Sequence, residues 1–423
     1  MERREFLKTV GATAAVMVSG RAAWSGGPAT AGPAGTTRPA RAPLDAAAAN
    51  RALAEHRIAG IELRQMRDRF PRLVGPGARG RPTGHGGGFR VRIVTTDQGV
   101  SGWASSGGAG GEDRLRGRRV SDCFSTEHGI ASDVPGFLDR VLHDLAGRIL
   151  KRPVYQLLGG AGPTAVPIYS SSIHFEDLVP AGKPGGVPRL LDCCKQDHRA
   201  GYRAFKLKIG RGFRWMKRNE GLRRDIAITR SVREHFPDCR LLVDANDGYT
   251  VAEAIAYVKA VADCDLYWIE EPFEENRDGL KRLRAAMAAV GCKAMIADGE
   301  SRKTRGEPPY PYGGYAKAFV DNLFSLAADK LVDVFVMDLD IVGFSRWRRI
   351  MPAFVKAGVK TSPHTWMWTP RPYYVAHLAA GVGNVCIVEG IPGGAKDIDY
   401  SGFRLKGGNL MVPDAPGFGL RLT

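Results

Sequence analysis

The sequence predicts an α/β barrel preceded by an α+β domain. Three observations carry that prediction. After Pro163 short apolar strands alternate strictly with helices, and the carboxyl ends of the later strands carry charged residues. Before Pro163 a strand meander is followed by helical segments. No strand opens a G-x-G-x-x-G turn, which disfavours a dinucleotide-binding fold.

The amino end reads "MERREFLKTVGATAAVMVSG", with Arg3 and Arg4 ahead of Phe6, Leu7 and Lys8 and then a modest apolar stretch of small residues. That order predicts a twin-arginine export signal, the alternative being a basic tail. Residues 21–49 are rich in Ala, Gly, Pro and Thr and read as cleavage region and linker. The chain therefore divides into signal and linker over 1–49, an α+β domain over 50–162 and the barrel from 163 to 390. Export by this route predicts a periplasmic or extracellular protein that folds, and can take up a metal, before it crosses the membrane.

Across 423 residues, 61 Lys and Arg against 44 Asp and Glu leave a formal charge of +17. The basic residues are spread along the chain, and no recognition helix, zinc finger or aromatic RNA-binding strand is evident, so no nucleic-acid partner is expected. A positive field that attracts a small anionic substrate is the simpler reading. No run is long enough to span a bilayer as an apolar helix. The seven cysteines are scattered and lack C-x-x-C spacing, which predicts buried thiols and no zinc site.

In the first domain "IAGIELRQM" reads as a strand. "FRVRIVTTDQGVSGWASS" reads as a hairpin turning at Asp97, Gln98 and Gly99. Helical periodicity follows in "VPGFLDRVLHDLAGRIL", then a Pro-containing turn and "VYQLLGG". In the barrel the strands are "AVPIYSS", "AFKLKI", "RLLVDAN", "LYWIEEP", "KAMIADGES", "DVFVMDLD", "GVKTSPH" and "VCIVEG". Barrel strands deliver catalytic groups from their carboxyl ends to one mouth. The ends here supply Lys206 and Lys208, Asp244, Glu270, Glu300, Asp338, His364 and Glu389.

An isolated K-x-K reads as a solvated pair on an edge strand. Here the next three strands each bring one carboxylate, about one βα unit apart, and three converging carboxylates repel unless a cation neutralises them. Hard oxygen donors suit Mg²⁺. The two lysines then face a metal-bound anion. Taken singly, each carboxylate could instead be a helix cap or a surface ion pair.

With "GYRAFKLKIG", "LLVDANDGYT", "YWIEEPF", "IADGES", "DVFVMDLDIVG", "TSPHTW" and "IVEG", together with "LHDLAGRIL" and "PVYQLLGG", the chain resembles the mandelate racemase-like (muconate lactonizing enzyme-like) branch of the enolase superfamily from about Ile58 onward. The resemblance implies a (β/α)7β barrel, an α+β capping domain and a segment over 391–423 that returns to complete the cap. It implies Asp244, Glu270 and Glu300 as ligands of Mg²⁺, which would hold the substrate carboxylate and stabilise the enediolate. Lys208 would be the base on one face, with Lys206 favouring its neutral form by like-charge repulsion and helping to neutralise the enediolate. His364, oriented by Asp338, would be the acid/base on the other face, and Glu389 would hydrogen-bond the substrate carboxylate. Asp340 competes with Asp338, and strand register favours Asp338. Met337 and Phe344 stand where Pro and Gly are frequent in the family.

Strand alternation sends Glu271 away from the mouth. Asn246 and Tyr249 either order the metal shell or shape the turn after the strand. Arg79 and His85 lie in the Gly-rich loop where the family places specificity residues, and would bind substrate unless that loop has no role at the site. The stretch "RKTRGEPPYPYGGYAKAF" is long enough to wall a pocket. Trp366 and Trp368 read as packing residues. The expected reaction is dehydration of an acid sugar to a 2-keto-3-deoxy acid, with racemisation or epimerisation of a hydroxy acid as the alternative and a non-catalytic sugar-acid-binding protein behind both. A homo-oligomer is expected on the resemblance alone.

Overall fold

The computed structural model describes residues 44–300, 305–310 and 313–423. The export-signal reading falls on residues 1–43, outside the described residues. Alternating burial turns the first hydrophobic segments into an antiparallel meander of β1 (Ile58–Arg69), β2 (Gly88–Thr96) and β3 (Ser101–Ser105). Gly99, at φ +77°, makes the turn between the last two. Helix α1 (Asp139–Ile149) packs so closely on β3 that a Cβ on Gly102 would lie 2.3 Å from the Leu145 nitrogen. Only glycine fits there.

The barrel begins with β4 (Ala165–Ile173), α2 (Gly186–Arg199), β5 (Ala204–Lys208), α3 (Arg218–His235) and β6 (Arg240–Asp244). It continues with α4 (Val251–Ala260), β7 (Leu266–Glu270), α5 (Arg277–Ala289), β8 (Met295–Asp298), α6 (Lys317–Ala328) and β9 (Val334–Phe335). The last units are α7 (Phe344–Lys356), β10 (Lys360–Thr361), α8 (Arg371–Val382) and β11 (Val388–Gly390). Neighbouring strands from β4 to β10 pair in parallel. A parallel bridge from Thr361 to Val385 and the pairing of β11 with β4 close the ring. This is the expected (β/α)7β order.

Local chemistry starts the helices where the strands stop. Thr250 and Glu253 form a reciprocal capping box at α4, and Asn276 caps α5 through the Gly279 N–H at 2.7 Å. Inside the ring, Tyr169, Ala204, Leu242, Trp268, Ala297 and Val334 form an apolar layer. Strand period two then puts Lys206 above Ala204, Asp244 above Leu242 and Glu270 above Trp268. The polar layer is the next rung of the same ladder. Because β5 lies between β4 and β6 and Lys206 is 1% exposed, the edge-strand reading of the lysine pair does not hold.

After the barrel the chain returns to the meander, where β12 (Gly394–Ala395) pairs antiparallel with β1. Cap and barrel are tied by buried polar contacts. Arg72 donates to both oxygens of Asp197 on α2, at 2.5 and 2.7 Å, and to Ser172 Oγ on β4 at 2.8 Å. Thr369 N–H donates to Asp68 at 3.0 Å, and Gly75 N–H to Glu176 at 3.0 Å. All seven cysteines are free thiols, five of them buried. No helix of the described residues is long and apolar enough to cross a membrane.

Arg72→Met strands the Asp197 carboxylate in the cap–barrel junction. Loss of one partner of such a pair costs about 3–5 kcal/mol. Urea unfolding should show that drop in stability, and an unchanged midpoint would mean the junction does not depend on the pair.

Candidate active site

At the carboxyl ends of the strands lies a cavity of about 220 Å³. Lys208, Asn246, Asp247, Glu271, Glu300 and His364 line it from the barrel, and Gly77, Arg79, Gly80 and Thr83 from the cap. His174, Trp366, Arg81, Glu274 and Glu275 complete the wall around these groups.

Lys206 lies beneath the cavity and does not line it. Its ammonium donates to Glu270 at 2.9 Å and lies 3.1 Å from Glu389 and 3.2 Å from Asp244. Burial alone would push Lys206 down, but Glu270, Glu389 and Asp244 outweigh it and hold the ammonium well above its ordinary value. Lys208 Nζ donates to the same Asp244 oxygen at 2.5 Å and to Asn246 Oδ1 at 2.9 Å. The expected repulsion between the two lysines is therefore blunted by a carboxylate held between them, and Lys206 is not among the residues that line the cavity.

Asp244 is fully buried, yet the two ammonium groups and the Asn246 N–H hold its carboxyl well below the usual range. Glu270 goes the other way. Burial and the Asp244 charge push it up to about 8 against the pull of both lysines, and its Oε2 is buried without a hydrogen-bond partner among the described residues. Glu300 reaches the cavity from just beyond β8, with its backbone carbonyl accepting from the Tyr315 hydroxyl at 3.1 Å.

On the next strands His364 and Asp338 sit side by side through a parallel β-bridge. His364 Nδ1 lies 3.0 Å from Asp338 Oδ2, while Nε2 is 3.5 Å from Glu300 and 3.9 Å from Glu389. Burial opposes charge on the ring, but Glu300, Glu389 and Asp338 overcome it and raise His364 to about 9. Asp338 also receives both Arg371 contacts, at 2.8 and 2.9 Å, and the N–H groups of Asp340 and Ile341. Asp340 instead accepts from Arg140 at the cap. Met337 and Phe344 are both buried and leave the His364–Asp338 contact intact.

Other expected positions divide. Arg79 reaches the cavity, donating to the Asn246 carbonyl at 2.6 Å and lying 4.8 Å over Phe213. Asn246 bridges Lys208 to Glu271, to which its Nδ2 donates at 3.4 Å. Tyr249 shapes the turn, since its hydroxyl donates to Asp225 at 2.8 Å. His85 is not on the cavity wall: its carbonyl pairs with Phe70 N–H at the end of the meander and its side chain is exposed. Glu389 is not on the cavity wall either. It accepts the N–H groups of Thr365 and Trp366, at 2.5 and 3.0 Å, and both oxygens are thus engaged in bracing Lys206 and the His364 turn.

Besides Arg81, Glu274 and Glu275, the groups not anticipated at the mouth include Glu271, Asp247 and His174. Glu271 lines the cavity because its backbone, at φ +39°, leaves the extended conformation that strand alternation assumes. Asp247, also at positive φ, is raised to about 7 by burial and by Glu275. His174 directly follows β4, and the rule that barrel strands deliver side chains from their carboxyl ends would have found it. Trp366 packs on Phe70 and His174 but also faces the cavity, whereas Trp368 stacks on Phe89. The long stretch after Glu300 forms a hairpin of Arg305–Tyr310 with Gly313–Tyr315, and its residues 301–304 and 311–312 lie outside the described residues.

The donors fit a hard divalent cation in kind. They are carboxylate oxygens, one of them buried and unpartnered at Glu270, and burial pushes Glu270, Glu271 and Asp247 up, as happens where carboxylates outnumber local cations. Among the described residues no three His, Cys, Asp or Glu side chains close on one point as a metal cage does. Asp244 and Glu270 are turned onto the lysine ammonium groups instead.

The chain is similar over most of its length to solved structures of galacturonate dehydratase from Geobacillus sp. A complex with D-galacturonate and 5-keto-4-deoxy-D-galacturonate is 29% identical, covers 87% of this chain and 95% of that one, and superposes with a TM-score of 0.77. A mutant form with Mg is 28% identical, covers 88% and 94%, and gives a TM-score of 0.78. D-galactarolactone cycloisomerase from Agrobacterium fabrum is 29% identical over 57% of this chain, and the match spans 55% of that relative's length. The family model described as enolase C-terminal domain-like matches residues 189–307 and 318–423. Covering more than half of the sequence, including Lys208, Asp244, Glu270, Glu300, His364 and Glu389, that match places the chain in the enolase C-terminal domain-like family.

Proposed function

We propose that this protein removes the proton α to the carboxylate of an acid sugar and eliminates water from it, giving a 2-keto-3-deoxy acid, with Mg²⁺ as cofactor. The observation that carries the reading is one cavity walled by Lys208 from the second barrel strand and by a charged His364 from the seventh, with Glu300 and Glu271 between them. The similarity to galacturonate dehydratase supports the substrate class.

Asp244, Glu270 and Glu300 would hold the metal. When bound, Mg²⁺ supplies positive charge beside the substrate carboxylate, which makes the α C–H more acidic. Lys208 takes the α-proton, positioned by Asn246. His364, fixed by Asp338 through Nδ1, delivers a proton from Nε2 to the departing β-hydroxyl, so that water leaves and the resulting enol becomes the keto acid. Lys206 acts through the field it sets around Asp244 and Glu270. Arg79 holds the distal end of the acid from the cap.

Racemisation or epimerisation is the second reading, because a proton removed by Lys208 and returned by His364 to the same carbon inverts it. We also propose export by the twin-arginine route to a periplasmic or extracellular location, supported by Arg3 and Arg4 and the segment that follows them. Assembly into a homo-oligomer belongs to the same proposal and rests on the family resemblance.

Proton NMR of the Mg²⁺-supplied protein in D₂O should show a 2-keto-3-deoxy product from an aldonate or aldarate, or the corresponding 5-keto-4-deoxy product from a uronate. Lys208→Ala and His364→Asn should each lower turnover about 10²–10⁴-fold. Deuterium at the α-carbon with an epimer and no keto acid would move the assignment to the second reading, and tight binding without any conversion would sink both.

His364 should titrate near pH 9 in metal-free protein when followed by ¹⁵N-histidine NMR. Its imidazolium is favoured by folding, so the stability it contributes is complete below its ordinary value of about 6.5 and lost as pH rises through about 9. Mg²⁺ should lower that titration by offsetting Glu300. A titration that ignores Mg²⁺ would separate His364 from the metal site.

Replacing both Arg3 and Arg4 with Lys should leave the protein inside cells that otherwise export it. Cell fractionation reads the result, and undiminished export would refute the twin-arginine assignment.

A further inference from the structure

The first barrel strand carries a group that the proposed reaction leaves unused. His174 follows Ile173, the last residue of β4, and is 4% exposed while lining the cavity with Lys208, Glu300 and His364. Its Nδ1 lies 3.3 Å from the carbonyl oxygen of Gly75. A carbonyl can only accept, so Nδ1 carries the ring proton and Nε2 keeps a lone pair. That Nε2 is buried and has no hydrogen-bond partner among the described residues.

The cradle around the ring is rigid. Gly75 N–H is tied to Glu176 at 3.0 Å, and a Cβ on Gly75 would lie 2.8 Å from the Phe175 carbonyl carbon, so the carbonyl that sets the tautomer has little room to shift. Trp366 lies tilted against the imidazole at 4.7 Å between ring centroids, with Phe70 stacked behind it at 5.9 Å. Burial, and then the charges of Lys208 and Lys206, lower His174 to about 3. Both effects favour the neutral ring.

A neutral imidazole on a cavity wall, with its acceptor nitrogen buried and unmet, selects what can satisfy it. A substrate carboxylate cannot, because both partners would be acceptors. A hydroxyl can, and leaving the buried acceptor unmet costs about 1–3 kcal/mol. We propose that His174 is a specificity-determining residue whose Nε2 accepts a hydrogen bond from one hydroxyl of the bound acid, so that the site prefers a polyhydroxy acid over the counterpart lacking that hydroxyl. This inference rests on the acid-sugar reading of the cavity.

The test uses the Mg²⁺-supplied full chain, a panel of aldonates, aldarates and uronates, and their monodeoxy counterparts. Calorimetry should find that removing one particular hydroxyl weakens binding to the wild type on the order of 10–100-fold. His174→Phe and His174→Asn should abolish that difference by weakening the hydroxylated acid alone. Melting curves show whether the variants fold. Independently of any variant, the ¹⁵N resonance of His174 Nε2 should shift with the hydroxylated acid and stay in place with its counterpart. Equal binding of every hydroxylated and monodeoxy pair, or an Nε2 resonance that no acid moves, overturns this inference alone and leaves a trapped water as the partner. A wild type that binds no member of the panel overturns the acid-sugar reading together with it.

Discussion

The site is organised around one ammonium group enclosed by three carboxylates. Lys206 comes from β5, and its acceptors Glu270, Glu389 and Asp244 come from β7, β11 and β6. The contact therefore cross-links the barrel interior at the height where apolar filling ends and polar side chains begin. A buried charge is tolerated only when it is paired, so each carboxylate depends on this lysine and the lysine depends on all of them. Lys208 shares Asp244 with it, and His364 lies 3.9 Å from Glu389. Even so, burial and Asp244 push Glu270 up to about 8, with one oxygen unpartnered among the described residues. An unmet carboxylate oxygen at the floor of the mouth suits a further cation.

Above that layer, polar networks fix the loops that face a ligand. Arg211 joins Asp177 to Asp225 and also donates to the Lys208 carbonyl at 3.1 Å, while Asp225 receives Gly210 N–H and the Tyr249 hydroxyl. The ends of β4, β5 and β6 are thereby held to one another. Strain collects at the same level. Asn246, Asp247 and Glu271 all have positive φ, a costly backbone for residues with side chains, and all three line the cavity. The cap contributes by the same economy of contacts: Arg72 and Gly75 anchor the loop to α2 and to the chain after β4, which sets Arg79 over the mouth.

How far the sequence could be read depended on regularity. Strand alternation and βα spacing revealed the barrel and brought Lys208, Asp244, Glu270 and His364 to one end, because both are periodic consequences of backbone geometry. The same periodicity misplaced Glu271, whose φ of +39° breaks the alternation. His85 was hard to place for a related reason. A Gly-rich loop has no period, and backbone pairings such as that of its carbonyl with Phe70 N–H show which way it runs. Arg371, which fixes Asp338, had no signal beyond its flanking prolines, since its role depends on a helix start meeting a distant strand end. His174 had a signal in its place after the first strand.

The electrostatics also bear on which chemistry the pair of proton carriers suits. A racemase asks each carrier to be a base in one direction and an acid in the other, and so benefits from two groups that change protonation easily near the working pH. His364 is not balanced in this way. Asp338, itself held low by Arg371 and two backbone N–H groups, fixes one nitrogen, while Glu300 and Glu389 favour charge on the other. With no cation on Glu300, the imidazolium is favoured on both sides and gives up its proton less readily than a free imidazole would. A β-hydroxyl leaving as water needs a proton donor of this kind, and the proposed elimination rests on that feature. The asymmetry arises from strand ends five, six, seven and eight meeting at one ring rather than from any single motif.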